Sequence, residues 1–193
     1  MLRRKNVCVY CASSADVDAC FTDAAAKLGR LLARKGIGCV CGAGRTGLMG
    51  ALADGCLAKG GTVTGVIPHF MVELGWGHEH LSHVEETEDM HKRKERMAAL
   101  SDAAVALPGG CGTMEELMEI ITWKQLGLYS KPVIIVNTRG YYTPLLQMLE
   151  QAVRYRFMKE SHRHLWHVAD SPEEVIDLLE NLPEDEAPAE SKY

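Results

Sequence analysis

Three glycines, a threonine and a glutamate stand close together in Pro108-Gly109-Gly110-Cys111-Gly112-Thr113-Met114-Glu115-Glu116. Glycine carries no Cβ, so a ligand can come close to the backbone there, and successive N–H groups can point into one concavity. A helix pattern from Met114 to Leu126 follows, which adds free N–H groups and the positive end of a dipole. That arrangement suits a phosphate. Glu116 does not belong to such a site, because phosphate binding gains nothing from a carboxylate. Thr113-x-x-Glu116 matches a capping box, in which the glutamate bonds back to the cap residue's N–H. The other reading sets the carboxylate against positive charge developing on a substrate, within reach of its bound phosphate. Both readings stand on these residues alone.

A second cluster with chemical potential is Met90-His91-Lys92-Arg93-Lys94-Glu95-Arg96-Met97. Cations in the opening turns of a helix oppose its dipole, so they are not placed there for helix stability. Lys92 and Arg96 read as a solvated face. Arg93 shares its face with Met90 and Met97, at i−3 and i+4, and therefore with the apolar side. A guanidinium on an apolar face needs a partner, either a carboxylate such as Glu116 or an anionic ligand.

The elements that must position these groups alternate between strand and helix. Strands are expected at Asn6–Cys11, Ile37–Cys41, Thr62–Ile67, Ala103–Leu107, Pro132–Asn137 and Leu165–Ala169. Helices are expected at Asp18–Lys35, Leu48–Lys59, Asp89–Ser101, Met114–Leu126 and Tyr142–Arg156, with a last one capped by Ser171-Pro172. Such alternation marks an α/β fold, a parallel sheet covered on both faces. His69 to Glu88 has no clean period and reads as a long connection that covers a site, with a short strand possible at Leu81–Val84.

At 193 residues the chain fits a single domain, expected over 1–182, with an acidic, Pro/Ala-rich and disordered tail over 183–193. A net charge of −5 with no concentrated basic tail argues against nucleic acid as a partner. The start, Met1-Leu2-Arg3-Arg4-Lys5-Asn6, is not a signal sequence, and no apolar stretch approaches the ~20 residues that span a bilayer, so no membrane association and a cytoplasmic location are expected. The seven cysteines include Cys8-x-x-Cys11 and Cys39-x-Cys41, but no second ligand pair stands at a suitable spacing. A redox CxxC would open a helix, whereas this one spans a strand and its end. Buried free thiols are expected, and no metal.

Gly42-x-Gly44-x-x-Gly47 follows a strand and precedes a helix, which is formally the dinucleotide fingerprint. The fuller pattern wants an acid at the end of the next strand for the ribose, and none stands between Asp54 and Glu73. A nucleotide's backbone contacts fit this loop better than NAD does. No Gly-Lys-Ser/Thr occurs, so NTP hydrolysis is not indicated.

With Gly42-Ala43-Gly44-Arg45-Thr46-Gly47-Leu48-Met49-Gly50, Met90-His91-x-Arg93-Lys94 and Pro108-Gly109-Gly110-x-Gly112-Thr113-x-x-Glu116 in order, the chain resembles the LOG (Lonely Guy) family. These are cytokinin-activating nucleoside 5′-monophosphate phosphoribohydrolases, often labelled "lysine decarboxylase-like". The resemblance runs from about Val7 to Leu179, including Gly65-Val66-Ile67-Pro68 and Ile121-Thr122-Trp123-x-Gln125-Leu126-Gly127. It implies a Rossmann-like doubly wound parallel sheet, a homodimer, and release of free base and ribose 5-phosphate from an AMP or cytokinin-type nucleotide. It implies Arg93 and Glu116 as the catalytic pair, and a 5′-phosphate held by Gly109, Gly110, Gly112 and Thr113. Ser13, Gly44, Gly47 and Met90 would line the nucleotide, and Lys94 would join the substrate-binding residues. The family's GGG is Gly-Ala-Gly here and its CGSS is Cys11-Ala12-Ser13-Ser14, two swaps that each add a methyl near the ligand.

Cleaving an N-glycosidic bond builds positive charge on the ribosyl ring, and a fixed carboxylate near C1′ stabilises that charge. Glu116 fits that role, with the helix N-terminus expected to help keep it ionised. Lysine decarboxylation requires pyridoxal phosphate on a lysine, and no lysine stands in a recognisable cofactor motif, so no cofactor is expected. A nucleotide-binding module without turnover is the competing class.

Overall fold

A computed structural model describes residues 5–183. The basic start at residues 1–4, and the expected tail from residue 184 onward, lie outside the described residues. Among those described, the strands are β1 (Asn6–Tyr10), β2 (Gly38–Cys41), β3 (Val63–Pro68), β4 (His83–Thr87), β5 (Ala104–Ala106), β6 (Val133–Val136) and β7 (His167–Ala169). The helices are α1 (Ala19–Arg34), α2 (Gly47–Leu57), α3 (His69–Glu73), α4 (Met90–Ala99), α5 (Cys111–Gln125), α6 (Thr143–Arg154) and α7 (Pro172–Asn181). All strand pairs are parallel, in the order β4-β3-β2-β1-β5-β6-β7. The doubly wound α/β fold is therefore as expected.

Period-two alternation explains how both faces of the sheet are buried. Val7, Val9, Cys39, Cys41, Val105 and Leu107 turn toward α1, α2 and α7, where they meet Leu28, Leu52 and Val175. Cys8, Tyr10, Val40, Ala104 and Ala106 turn the other way, toward Met97 of α4 and Leu117 and Ile120 of α5. Five of the seven cysteines are buried free thiols; Cys20 is half-buried and Cys111 exposed. No helix among the described residues is long and apolar enough to cross a membrane.

The sheet order reverses between β1 and β5. One neighbour's chain winds left and the other's right, so a crevice opens beyond their carboxyl ends. Three loops meet there and bond to each other: Leu107 N–H to Tyr10 O at 2.9 Å, Ala12 N–H to Pro108 O at 3.3 Å, and Met49 N–H to Ala12 O at 3.1 Å.

Two local expectations change. The segment 69–88 is not one irregular connection, because it contains α3 and then β4 at the sheet edge, two residues later than the possible strand at Leu81–Val84. And α5 begins at Cys111 rather than Met114, with Gly110 as its cap residue.

Candidate active site

Asp89 caps α4, its Oδ1 accepting from Lys92 N–H at 2.8 Å, and this sets which face of the helix turns inward. Arg93, Lys94, Met97 and Ala98 are buried. Lys92 and Arg96 lie outside, bonded to Glu95 at 2.9 Å and Glu85 at 2.6 Å. Arg93 spends its fork on three elements. Nε donates to Val66 O at 3.0 Å, Nη2 to Gly42 O at 3.3 Å, and Nη1 to Glu116 Oε1 at 3.1 Å. Backbone carbonyls at the ends of β3 and β2 thus hold the guanidinium still, and the carboxylate of α5 balances its charge.

With α5 starting at Cys111, Thr113 is the third helical residue and not the cap, so the capping-box reading of Glu116 does not hold. Glu116 lies one and a half turns into the helix with only 7% of its surface exposed, and it faces Arg93. No side chain caps the first turn at Gly110. The uncapped N–H groups of that turn are the ones a ligand anion would take. Burial pushes the Glu116 carboxyl above the usual carboxylate range, and Arg93 pulls it partly back. Desolvation is thus the largest influence on its ionisation, ahead of the Arg93 charge.

A cavity of about 640 Å³ opens between these loops. Of the residues singled out from sequence, Ser13, Gly44, Met90, Arg93, Gly110, Gly112, Thr113 and Glu116 line it. Gly109, Gly47 and Lys94 are not among the lining. Gly109 faces an adjoining cavity of about 280 Å³, and its Cα packs so tightly on Thr113 that a Cβ would overlap the hydroxyl. Gly47 turns the chain at φ +64° into α2 and lies against the Ser13–Ser14 backbone, where no Cβ fits. Lys94 points to α5 instead, to Glu115 and to Glu119 at 3.1 Å. Burial alone would lower its pKa, but those two carboxylates hold it above the usual lysine value.

The methyl of Ala43 does not face the cavity. With φ +62° it turns toward Gly65, so only Ala12 adds a methyl at the site. Sequence reasoning passed over Arg45, Met71, Trp76 and Glu115, all of which line the cavity. Met71, Trp76, Ile67, Met49 and Met90 together make an apolar wall. Trp76 arrives there through an antiparallel bridge of Gly77 to Gly44, with Arg45 N–H on Trp76 O at 3.3 Å and His78 N–H on Ala43 O at 2.8 Å. Arg45 was already in hand inside the Gly44–Gly47 loop, but nothing in the spacing tied that loop to Trp76.

A family model described as "Possible lysine decarboxylase" matches residues 49–179. The chain is 43% identical to the probable cytokinin riboside 5′-monophosphate phosphoribohydrolase LOGL2 of Oryza sativa subsp. japonica, over 92% of its own length and 73% of the relative's. It is 42% identical to the cytokinin riboside 5′-monophosphate phosphoribohydrolase LOG1 of Arabidopsis thaliana, over 97% and 89%. Among solved structures, the molybdenum cofactor carrier protein MCP from Chlamydomonas reinhardtii superposes with a TM-score of 0.69 at 22% identity, covering 92% of this chain and 96% of that one, a likeness of fold alone. Identity of this extent to curated relatives, with a family model matching residues 49–179, places the chain in the LOG family of cytokinin riboside 5′-monophosphate phosphoribohydrolases.

Proposed function

We propose that the chain hydrolyses the N-glycosidic bond of a nucleoside 5′-monophosphate, of the AMP or cytokinin riboside type, to free base and ribose 5-phosphate. The observation that carries this reading is the buried Arg93–Glu116 pair in the wall of a cavity whose neighbouring wall is an uncapped helix N-terminus. Thr113 and Glu116 are three residues apart on α5, about 4.5 Å of helical rise. A 5′-phosphate on the first-turn N–H groups, with Ser13 and Thr113 hydroxyls beside it, therefore brings its ribose to the carboxylate.

As the bond from C1′ to the base nitrogen lengthens, its electron pair leaves with the base and the ribosyl ring becomes cationic. Glu116 stabilises that charge and accepts a proton from the water whose oxygen bonds to C1′, the departing base takes up a proton from solvent, and Glu116 then returns its own to solvent. Arg93, fixed by two carbonyls, keeps the carboxylate aimed. Phosphate binding supplies the positioning. The apolar wall of Met71, Trp76 and Met90 receives the base. We place the chain in a homodimer in solution, which light scattering measures.

Incubation with AMP and with N6-isopentenyl-AMP, followed by chromatography for the free base, tests the activity and separates it from binding without turnover. Glu116→Gln is expected to lose about 100-fold or more in kcat. Full hydrolysis by a folded Glu116→Gln variant would overturn the assignment, and nucleotide binding with no base released by the wild type would leave a binding module.

A further inference from the structure

Four consecutive carbonyls in the glycine loop already have donors. Leu107 O accepts from Tyr142 Oη–H at 2.8 Å, Pro108 O from Ala12 N–H at 3.3 Å, Gly109 O from Tyr141 Oη–H at 2.6 Å, and Gly110 O from Met114 N–H at 3.0 Å. The Gly109 bond matters most, because Gly109 C=O and Gly110 N–H belong to one planar peptide and point in opposite directions. A glycine-rich loop flips such a peptide at little steric cost. After a flip, a carbonyl oxygen would face the incoming anion and an N–H would be lost to it. The two sides of this peptide face different spaces. Tyr141, Gly109 and Gly110 line the smaller cavity, and Gly110 lines the larger one as well.

The tyrosines are themselves held. The turn Thr138–Gly140 reverses the chain through two residues at positive φ, Arg139 at +54° and Gly140 at +72°. Tyr142 N–H then donates to Asn137 Oδ1 at 2.8 Å, and Arg139 Nη1 reaches Asp18 Oδ2 at 3.1 Å at the start of α1. The Tyr141 ring packs edge-on against Tyr142 at 5.0 Å and Phe21 at 5.9 Å.

We propose that Tyr141 is a positioning residue for the anion-binding loop: its hydroxyl locks the Gly109–Gly110 peptide so that the Gly110 N–H is presented to a phosphate monoester. Tyr142 secures the strand end of the same loop. The inference rests on the phosphate placement of the proposed function, though not on turnover.

The test is Tyr141→Phe, which removes one oxygen and keeps the ring, with ribose 5-phosphate titrated by calorimetry and AMP hydrolysis measured in parallel. The Kd for ribose 5-phosphate and the KM for AMP are expected to rise by the same factor, about 3- to 10-fold, the weight of one hydrogen bond, with kcat within about twofold. Phe21→Leu, which loosens the ring contact and leaves the hydroxyl, is expected to change ribose 5-phosphate affinity less than twofold. Equal ribose 5-phosphate affinity in wild type and Tyr141→Phe would overturn the proposal, as would a fall in kcat alone, an equal loss in Phe21→Leu, or a wild type that binds no ribose 5-phosphate. If the wild type binds ribose 5-phosphate but releases no base from AMP, hydrolysis falls while the titration still decides the role of Tyr141.

Discussion

Gly42 leaves the space that the Arg93 guanidinium fills: its carbonyl accepts from Nη2 at 3.3 Å, and a Cβ on it would overlap that nitrogen. The glycine is needed here for close approach rather than for a turn. Gly42→Ala would push the fork away from Val66 O and Glu116 together, although neither charge is removed. A displacement of about 1 Å in a group that aims the chemistry can cost about 100-fold. Gly42→Ala is expected to lower kcat on AMP by about that factor and stability by about 1–3 kcal/mol. Steady-state kinetics and urea melts check both. Wild-type kcat in a folded variant would mean that the guanidinium is not held as the geometry requires.

The same pair separates stability from activity. Replacing Glu116 by leucine leaves the Arg93 charge buried among carbonyls, a situation that typically costs about 3–5 kcal/mol. Replacing Arg93 by methionine as well removes the uncompensated charge, though Val66 O and Gly42 O lose a donor. The double variant is expected to be more stable than Glu116→Leu alone by at least about 1 kcal/mol, and to remain as inactive. Denaturation midpoints of the two variants, compared at one pH, give the answer.

Much of this was legible because the buried elements announce themselves. Asn6–Tyr10 and Ala104–Ala106 are apolar runs, and Asp18 and Ser171 are ordinary caps whose side chains accept from Cys20 and Glu174 N–H. The Arg93–Glu116 contact was legible for a different reason: a guanidinium on an apolar stripe must find a partner. What escaped was set by tertiary contacts. β4 is an edge strand with mostly exposed side chains, so it shows no apolar alternation. The start of α5 lies in Gly110-Cys111-Gly112-Thr113, residues of poor helix propensity that packing against β1 and β5 overrides. The resemblance set Lys94 among the substrate-binding residues, and its partners Glu115 and Glu119 could not be read beside it because they lie on another helix.

The segment that hid from periodicity carries Met71 and Trp76 of the cavity's apolar lining. Trp76 is half exposed at the cavity, and the Gly44–Gly77 bridge, Arg45 N–H on Trp76 O, Trp76 N–H on Met71 O and the His78 backbone bond hold it there. An aromatic ring in that place adds apolar contact to a base and more to an alkyl group carried on N6. Trp76→Ala is expected to lower kcat/KM for N6-isopentenyl-AMP by about 10-fold and for AMP by less, with kcat at saturation nearly unchanged. Parallel assays on the two nucleotides measure the ratio. Equal losses on both would place the side-chain contact on the purine alone.

The charges around Glu116 predict a pH profile whose sign can be worked out. Burial raises its pKa above the ordinary 4.5, Arg93 and Lys94 lower it, and Glu115 and Glu119 raise it. If the ionised carboxylate is the active form, the acid limb of kcat/KM lies above the ordinary carboxylate range. Stability runs the opposite way: a carboxyl that binds its proton more tightly when folded favours folding below its ordinary pKa, and that contribution is lost as pH rises through the folded value. Glu115→Gln removes a like charge and should move the acid limb to lower pH. Lys94→Met removes an opposite charge and should move it higher, even though Lys94 does not line the cavity. Rate profiles of the three proteins on AMP decide the matter, since a limb set by phosphate ionisation of the substrate would stay fixed in all of them. Opposite displacements from two residues on different helices, neither required to touch the reacting atoms, would identify Glu116 as the group that titrates.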